Sequence, residues 1–512
     1  MEPQKSFYVP DWLEKRAMLT PRRTAVQDTI TDQEITYSEW NRQVNRTANL
    51  LRDIGVKYGD RVAIYARNSM AYMDVWMACG KLGAVLQNLN WRLTVVELEE
   101  LLRDAAPVVL VYSGDFIEQV TQLREHITSI QHYVAIDRSI ADDRSLNERE
   151  QYPEVFTDRP NLRPDAPWVI CYTGGTTGLP KGAILTHANM TWNSVNTVMS
   201  WGLDQNDVAI LNAPLFHTGG LNVFTLPLIH VGGKNILCEG FDPDQVFDLI
   251  AASDVTVFFG VPTMFIMLQQ HERWPEADFS RLKLVISGGA PCPMPVFEKF
   301  WAKGVDFKTG YGLTEAGPNT FWLPAEDVRR KPGAVGYPLF HIDVKVVRPD
   351  GSECGPGEPG ELLIRGPHVT PGYWNNPEAT SKAIVDGWLH TGDLASRDEE
   401  GCYTIVGRLK DMIISGGENI YPAEVESAMH AHPAVAEAAL IGVPDEKWGE
   451  VGRAVVVISE GHTLTAEELL VFLRERLAGY KIPKSVIFVD ALPKTGAGKI
   501  DKKVLAARYG QQ

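Results

Sequence analysis

The chain has 512 residues, enough for two to four folding units at about 100–200 residues each. Apolar residues make up 44% and charged residues 22%, a composition that excludes collagen, disordered and disulfide-scaffold classes. Lys plus Arg number 49 against 65 Asp plus Glu, a net charge of −16. That long-range field repels DNA, RNA and anionic lipid surfaces, so nucleic acid is not an expected partner, and any phosphorylated ligand needs a locally built site.

The opening MEPQKSFYVPDWLEKR has no basic patch leading into an apolar run, so it does not read as a signal peptide. No stretch reaches the roughly 18 apolar residues of a membrane span. Cys79, Cys171, Cys238, Cys292, Cys354 and Cys402 are scattered, without C-x-x-C or metal-type spacing, and fit reduced thiols in a cytoplasm.

From Ile35 a strand end leads into a helical pattern with Trp40, Val44, Ala48 and Leu51, closed by Gly55. The strand RVAIYA follows from Arg61. The same alternation recurs in PVVLVY after Pro107, between Asp207 and His230, in DVTVFFGVP from Asp254, and in RLKLVISGG from Arg281. Strands alternating with helices predict an α/β architecture of parallel-type sheets covered by helices. After Lys331 the texture changes to short β pieces with Gly and Pro turns: IDVKVV, GELLIRG and GCYTIVGRL. A last segment from Asp411 alternates again and reads as a separate, small α+β lid. The expected organisation is a large domain over 1–409, with a β-rich subdomain at about 331–409, and a C-terminal lid over 410–512.

The strongest local signal is YTGGTTGLPKG, from Tyr172 to Gly182. A Gly- and Thr-rich loop after the apolar strand WVICY offers free backbone amides and hydroxyls to a polyphosphate, and Lys181 adds positive charge. A Walker loop is excluded, because Gly178 is followed by Leu179 and Pro180, and neither Lys234 nor Lys499 is followed by Ser or Thr. GPGEPG, Gly355 to Gly360, matches a dinucleotide fingerprint in letters only. Its prolines stand where a helix should open, so it reads as a turn.

With PLFHTGG (Pro214 to Gly220), SGGAP (Ser287 to Pro291), GYGLTEAG (Gly310 to Gly317), HTGDLA (His390 to Ala395), GRLKDMIISGGENIYPAEVE (Gly407 to Glu426) and PKTGAGKI (Pro493 to Ile500), the chain resembles the adenylate-forming superfamily of acyl-CoA synthetases, adenylation domains and luciferases. The resemblance spans nearly the whole chain. It departs at Gly174, where many members carry Ser. It implies two half-reactions: a carboxylate attacks the α-phosphorus of ATP, giving acyl-AMP and pyrophosphate, and a thiol then takes the acyl group. Two anions must meet in the first, so positioned cations are needed.

By resemblance, Lys499 bridges the carboxylate and the α-phosphate, Glu315 is the Mg²⁺ ligand and Thr314 bonds the phosphate. Thr173, Gly174, Gly175, Thr176, Thr177, Gly178 and Lys181 hold the triphosphate. Tyr311 stacks on adenine beside Gly288, Gly289 and Ala290, with Gly312 and Ile405 nearby, and Asp393 and Arg408 hold the ribose. The resemblance places a hinge at Lys410 and lets Gly416 and Gly417 line a channel for the CoA thiol. ATP, Mg²⁺ and CoA are the implied cofactors.

The acyl pocket is expected from His217, Leu221, Phe259, Val261 and the turn at Gly317, with Phe216, Asn222, Val223, Phe258, Gly260 and Met264. No acidic residue among them would pair with an α-amino group, and no carrier segment follows Gln512. An apolar acid of fatty-acid type is therefore expected; an aryl or bulky polycyclic acid is the alternative, as is an amine or carrier-protein acceptor. A non-catalytic nucleotide sensor is disfavoured by intact Lys499, Glu315 and Lys181. Cys171 and Cys292 border motifs, but no His or Asp is placed to activate either as a nucleophile. A homodimer is one assembly open to such a chain.

Overall fold

A capping box starts the first long helix, Tyr37–Asp53: the Thr36 hydroxyl accepts from the Glu39 amide, and the Glu39 carboxylate accepts from the Thr36 amide at 2.9 Å. Its stripe of Trp40, Val44, Ala48 and Leu51 is completely buried, each residue contributing about 1.5–3 kcal/mol except the smaller Ala48. That stripe packs on Met70–Leu82, a helix buried on nearly every side. The two charged residues inside it are paired. Asp74 accepts from Trp40, Gln43 and Arg149, and Lys81 donates to both oxygens of Asp11.

The computed structural model describes residues 8–173, 180–416, 418–495 and 499–510. Among them, strands assemble into two seven-stranded sheets. One runs in the order Arg144–Ser145, His132–Ala135, Val109–Tyr112, Arg61–Tyr65, Val85–Asn88, Pro167–Thr173 and Lys181–Thr186, parallel except for the last pair. The other runs Phe307–Thr309, Leu284–Ser287, Val257–Gly260, Val208–Leu211, Lys234–Leu237, Thr24–Asp28 and Gln33–Thr36, again parallel except at the last pair. Helices between the sheets join Val62, Ile64 and Leu86 of the first to Val26, Leu211 and Leu237 of the second in one core.

Beyond them lies an antiparallel sheet of Asp343–Val347, Gly360–Arg365 and Trp388–Arg397, whose long last strand also pairs with Ile384–Val385 and Tyr403–Arg408. GPGEPG is a turn, with Gly357 at φ +78°. The C-terminal part has a core of its own, in which Ile413, Val425, Met429, Leu440, Val456 and Leu469 pack together. Its sheet is built on the hairpin Val435–Asp445 and Gly449–Ile458, with Ser485–Phe488 added in parallel.

Candidate active site

The hairpin Pro167–Thr173 and Lys181–Thr186 ends with Thr173 opposite Lys181. Gly174, Gly175, Thr176, Thr177 and Gly178, which follow Thr173 in sequence, lie outside the described residues, as does Gly417. Beside the hairpin, a single 3-10 turn, Thr314–Ala316, presents Glu315, which is only 8% exposed. Its Oε1 accepts from the Thr173 hydroxyl at 3.3 Å and from the Tyr373 hydroxyl at 2.9 Å, and its backbone carbonyl accepts from the Thr370 amide at 2.8 Å. Lys181 lies over the Tyr373 ring, 5.2 Å from its centroid. Thr314 is buried next to Glu315.

A second group stands at the edge of the antiparallel sheet. Asp393 and Arg408 face each other across two strands, their side chains 3.2 Å apart, and Tyr311 donates to the other Asp393 oxygen at 2.7 Å. Burial pushes the Tyr311 phenol well up, so it stays a donor. Burial also raises Asp393, with Arg408 and the Tyr311 hydroxyl opposing the rise. Ile405 pairs with Ala395 across the same strands and, like Tyr311, packs against the core beneath them. Gly312 is a glycine for a backbone reason: a Cβ there would lie 1.3 Å from the Pro318 carbonyl oxygen.

Lys499 arrives from the C-terminal part. Its carbonyl accepts from the Thr495 amide at 2.7 Å. The side chain reaches Gly289, where a Cβ would sit 3.6 Å from Lys499 Cε and 3.9 Å from Nζ, and 3.7 Å from Val261. Burial and the nearby Arg408 lower the Lys499 ammonium, while Asp393 and Glu315 raise it. Lys499, Arg408 and Glu315 are thus electrostatic neighbours. His217 is pushed down to about 4, first by burial and then by the Lys499 charge, so it is neutral at pH 7.

Of the residues expected around an acyl group, Phe259 is partly exposed and its ring lies between two glycines. A Cβ on Gly219 would approach it to 3.3 Å, and one on Gly288 to 3.0 Å. Ala290 follows at the partly exposed end of that loop. Gly317, at φ +97°, passes Asn193 so closely that a Cβ would meet its Oδ1 at 3.0 Å. Leu221 is fully buried among core side chains. Lys410 occupies a short 3-10 turn, Leu409–Asp411, and burial lowers its ammonium. Gly416, at φ +60°, lies against the Trp448 indole, where a Cβ would come within 2.5 Å.

In a chain of net charge −16, the cleft gathers Lys181, Arg408 and Lys499 around two carboxylates, a layout suited to anions and their transfer chemistry. Among the described residues no group of three or more His, Cys, Asp or Glu could hold a metal. A hard cation at Glu315 would therefore take its other ligands from phosphate oxygens and water, which suits Mg²⁺. Burial pushes the Cys171 thiol up to about 11 and Cys292 up to about 12, which makes both poor nucleophiles. Tyr373 escapes sequence reasoning; the only hint is an aromatic pair inside the Pro-, Gly- and Asn-rich stretch TPGYWNNP.

A family model described as AMP-binding enzyme matches residues 13–374, and one described as AMP-binding enzyme C-terminal domain matches residues 424–499. The chain is 44% identical over 505 residues to a feruloyl-CoA synthase of Amycolatopsis sp, covering 98% of both chains. It is 38% identical over 495 residues to an indoleacetate–CoA ligase of Aromatoleum aromaticum, covering 96% of both. Its fold matches the crystal structure of the anthranilate CoA ligase AuaEII in complex with anthranoyl-AMP with a TM-score of 0.92 at 27% identity, covering 100% of this chain and 98% of that one. Among the described residues, no helix is long and apolar enough to cross a membrane.

Proposed function

The chain belongs to the AMP-binding enzyme family and is an acid–thiol ligase working through an acyl adenylate, and from that premise we propose that its acid is aromatic. The apolar pocket had pointed first to a fatty acid. The relatives support the aryl alternative instead: feruloyl and indoleacetyl groups both carry a flat ring on a short arm. That 44% identity over 98% of both chains is the observation that carries the reading. The Phe259 ring supports it physically, because an aromatic face favours an offset-stacked or edge-on ring over a floppy chain.

In this reading the ATP triphosphate lies along the Thr173–Lys181 hairpin, and Thr314 donates to a phosphate oxygen. Tyr311 backs the adenine, with Gly288, Gly289, Ala290, Gly312 and Ile405 around it, and Asp393 and Arg408 hold the ribose hydroxyls. Glu315 holds Mg²⁺, which when bound offsets the charge of the departing pyrophosphate. Lys499 sits between carboxylate and α-phosphate, where its ammonium offsets the repulsion of two anions. Neutral His217, Val261 and Gly317 border the acyl group with Phe259, whereas Leu221, fully buried in the core, backs the site from behind and does not line it.

The thiol needs the space that Lys499 fills, so the part after residue 409 must turn away. We place the hinge at Lys410, with residues 1–409 as the large domain and 410–512 as the lid. Gly416 and Gly417, lacking side chains, then leave room for a narrow thiol channel, and CoA is the acceptor.

The test is AMP release over a panel of acids, with and without CoA. Hydroxycinnamates and arylacetates should be turned over with CoA far faster than saturated fatty acids of any length. Faster turnover of a fatty acid, or transfer to amines in place of CoA, would overturn the reading.

A further inference from the structure

Tyr373 stands where three stretches of chain meet. The segment 370–374 is stitched to the strand Lys181–Thr186: the Ile184 amide donates to the Gly372 carbonyl at 3.0 Å, and the Trp374 amide donates to Gly182 at 2.7 Å. It is stitched equally to the turn of Glu315 through the Thr370 amide, 2.8 Å from the Glu315 carbonyl. Its own backbone is fixed from behind, where the Tyr373 amide donates to the Thr380 hydroxyl at 2.9 Å. Gly372, at φ +145°, leaves no room for a Cβ, which would meet Thr380 at 2.4 Å.

The side chain adds two contacts to this frame. The hydroxyl donates to Glu315 Oε1 at 2.9 Å, and the ring face carries the Lys181 ammonium 5.2 Å from its centroid. Resting on the reading of Glu315 and Lys181 given above, we infer that Tyr373 is the positioning residue of the phosphate end of the site. Its hydroxyl and that of Thr173 both occupy Oε1, so the carboxylate is held in one rotamer, and among the described residues none takes Oε2, which can serve a cation. Its ring attracts the Lys181 ammonium through the negative π face and fixes where that charge stands. A ligand already oriented loses no rotamer freedom when the cation and phosphates arrive.

The two contacts separate by substitution. Tyr373→Phe keeps the ring and loses the hydroxyl; Tyr373→Leu loses both. The test titrates Mn²⁺, as a paramagnetic substitute for Mg²⁺, into full-length protein with saturating ATP, reading free Mn²⁺ by electron paramagnetic resonance. Calorimetry reports ATP binding without metal, and circular dichroism reports the thermal midpoint.

Tyr373→Phe should weaken Mn²⁺ binding roughly tenfold, the scale of one lost hydrogen bond to a charged group, with metal-free ATP affinity and thermal midpoint unchanged. Tyr373→Leu should in addition weaken metal-free ATP binding. The inference is overturned if Tyr373→Phe binds Mn²⁺ as tightly as wild type, or weakens metal-free ATP binding as much as Mn²⁺ binding. Should the Leu variant unfold, the Phe variant alone decides. A wild-type protein that binds no Mn²⁺ with ATP would sink the assignment of Glu315 itself. None of these readouts depends on which acid the enzyme takes.

Discussion

Lys499 lies against Gly289: a Cβ on that glycine would come within 3.6 Å of Lys499 Cε, and the two residues are 210 positions apart in sequence. A residue just ahead of the last helix, Lys502–Tyr509, is thereby delivered onto the loop that follows Leu284–Ser287, the strand next to the edge of the second seven-stranded sheet. Gly289, at φ +81°, takes a conformation that L side chains rarely adopt, and the missing side chain leaves the lysine its path.

Removing that charge should affect one half-reaction only. Lys499→Ala is expected to slow pyrophosphate release from acid and ATP by roughly 10²–10³-fold, the range for losing one preorganised electrostatic contact. Conversion of supplied acyl-AMP to thioester should stay near the wild-type rate. Wild-type adenylation by the variant would show that Lys499 has no such role.

Glu315→Gln tests the cation site. A neutral amide is a poor ligand for a hard cation, so half-saturation by Mg²⁺ should move upward by about an order of magnitude and the first step should slow. The Thr173 and Tyr373 hydroxyls still find an acceptor in the Gln oxygen, so folding should hold. An unchanged Mg²⁺ titration would remove Glu315 from the metal site.

Lys410→Pro tests the turn between two arrangements. Proline fixes φ near −65° and restricts the residue before it, so one of two backbone states at the hinge should be lost. Adenylation should survive to within about tenfold while thioester formation fails. Equal loss in both, measured by single turnover, would mean general damage, and no loss in either would move the hinge elsewhere.

Acid should loosen the large domain through two buried histidines. His187 and His368 are almost fully buried, with no partner among the described residues on either ring nitrogen, and burial holds both at about 3, against about 6.5 when unfolded. The unfolded chain therefore binds more protons between those values. Each histidine's contribution is complete above about pH 6.5 and lost as pH falls towards 3, at up to ~1.4 kcal/mol per pH unit. His187→Phe, which keeps a ring on Trp168 where His187 now stacks at 4.9 Å, should flatten the fall in thermal midpoint between pH 6.5 and 4.5. A slope equal to wild type would contradict this.

The alternation of strands and helices, and the change of texture after Lys331, were legible because each parallel strand is a short apolar run such as Leu284–Ser287. The helix Met70–Leu82 was not, since burial all round leaves no polar stripe to reveal its period. Strand order was equally hidden: Thr24–Asp28 pairs with Lys234–Leu237, about two hundred residues on, with no local cue. The resemblance named Tyr311, Asp393 and Arg408 in three different motifs, and the structure brings them into one hydrogen-bonded group. Tyr373 was missed because what gives it meaning is Glu315, 58 residues away, and a turn-rich stretch carries no sign of that contact. The choice of aryl over fatty acid could not be read at all from apolar side chains, which suit either.

The central claim is that the acid passes through an acyl adenylate on its way to CoA. An aryl acid labelled with ¹⁸O in both carboxyl oxygens, incubated with enzyme, ATP, Mg²⁺ and CoA, decides it by mass spectrometry of the AMP released. If the carboxylate attacks the α-phosphorus, the AMP carries one heavy oxygen and the thioester retains the other. AMP free of label, with thioester formed, would contradict the account.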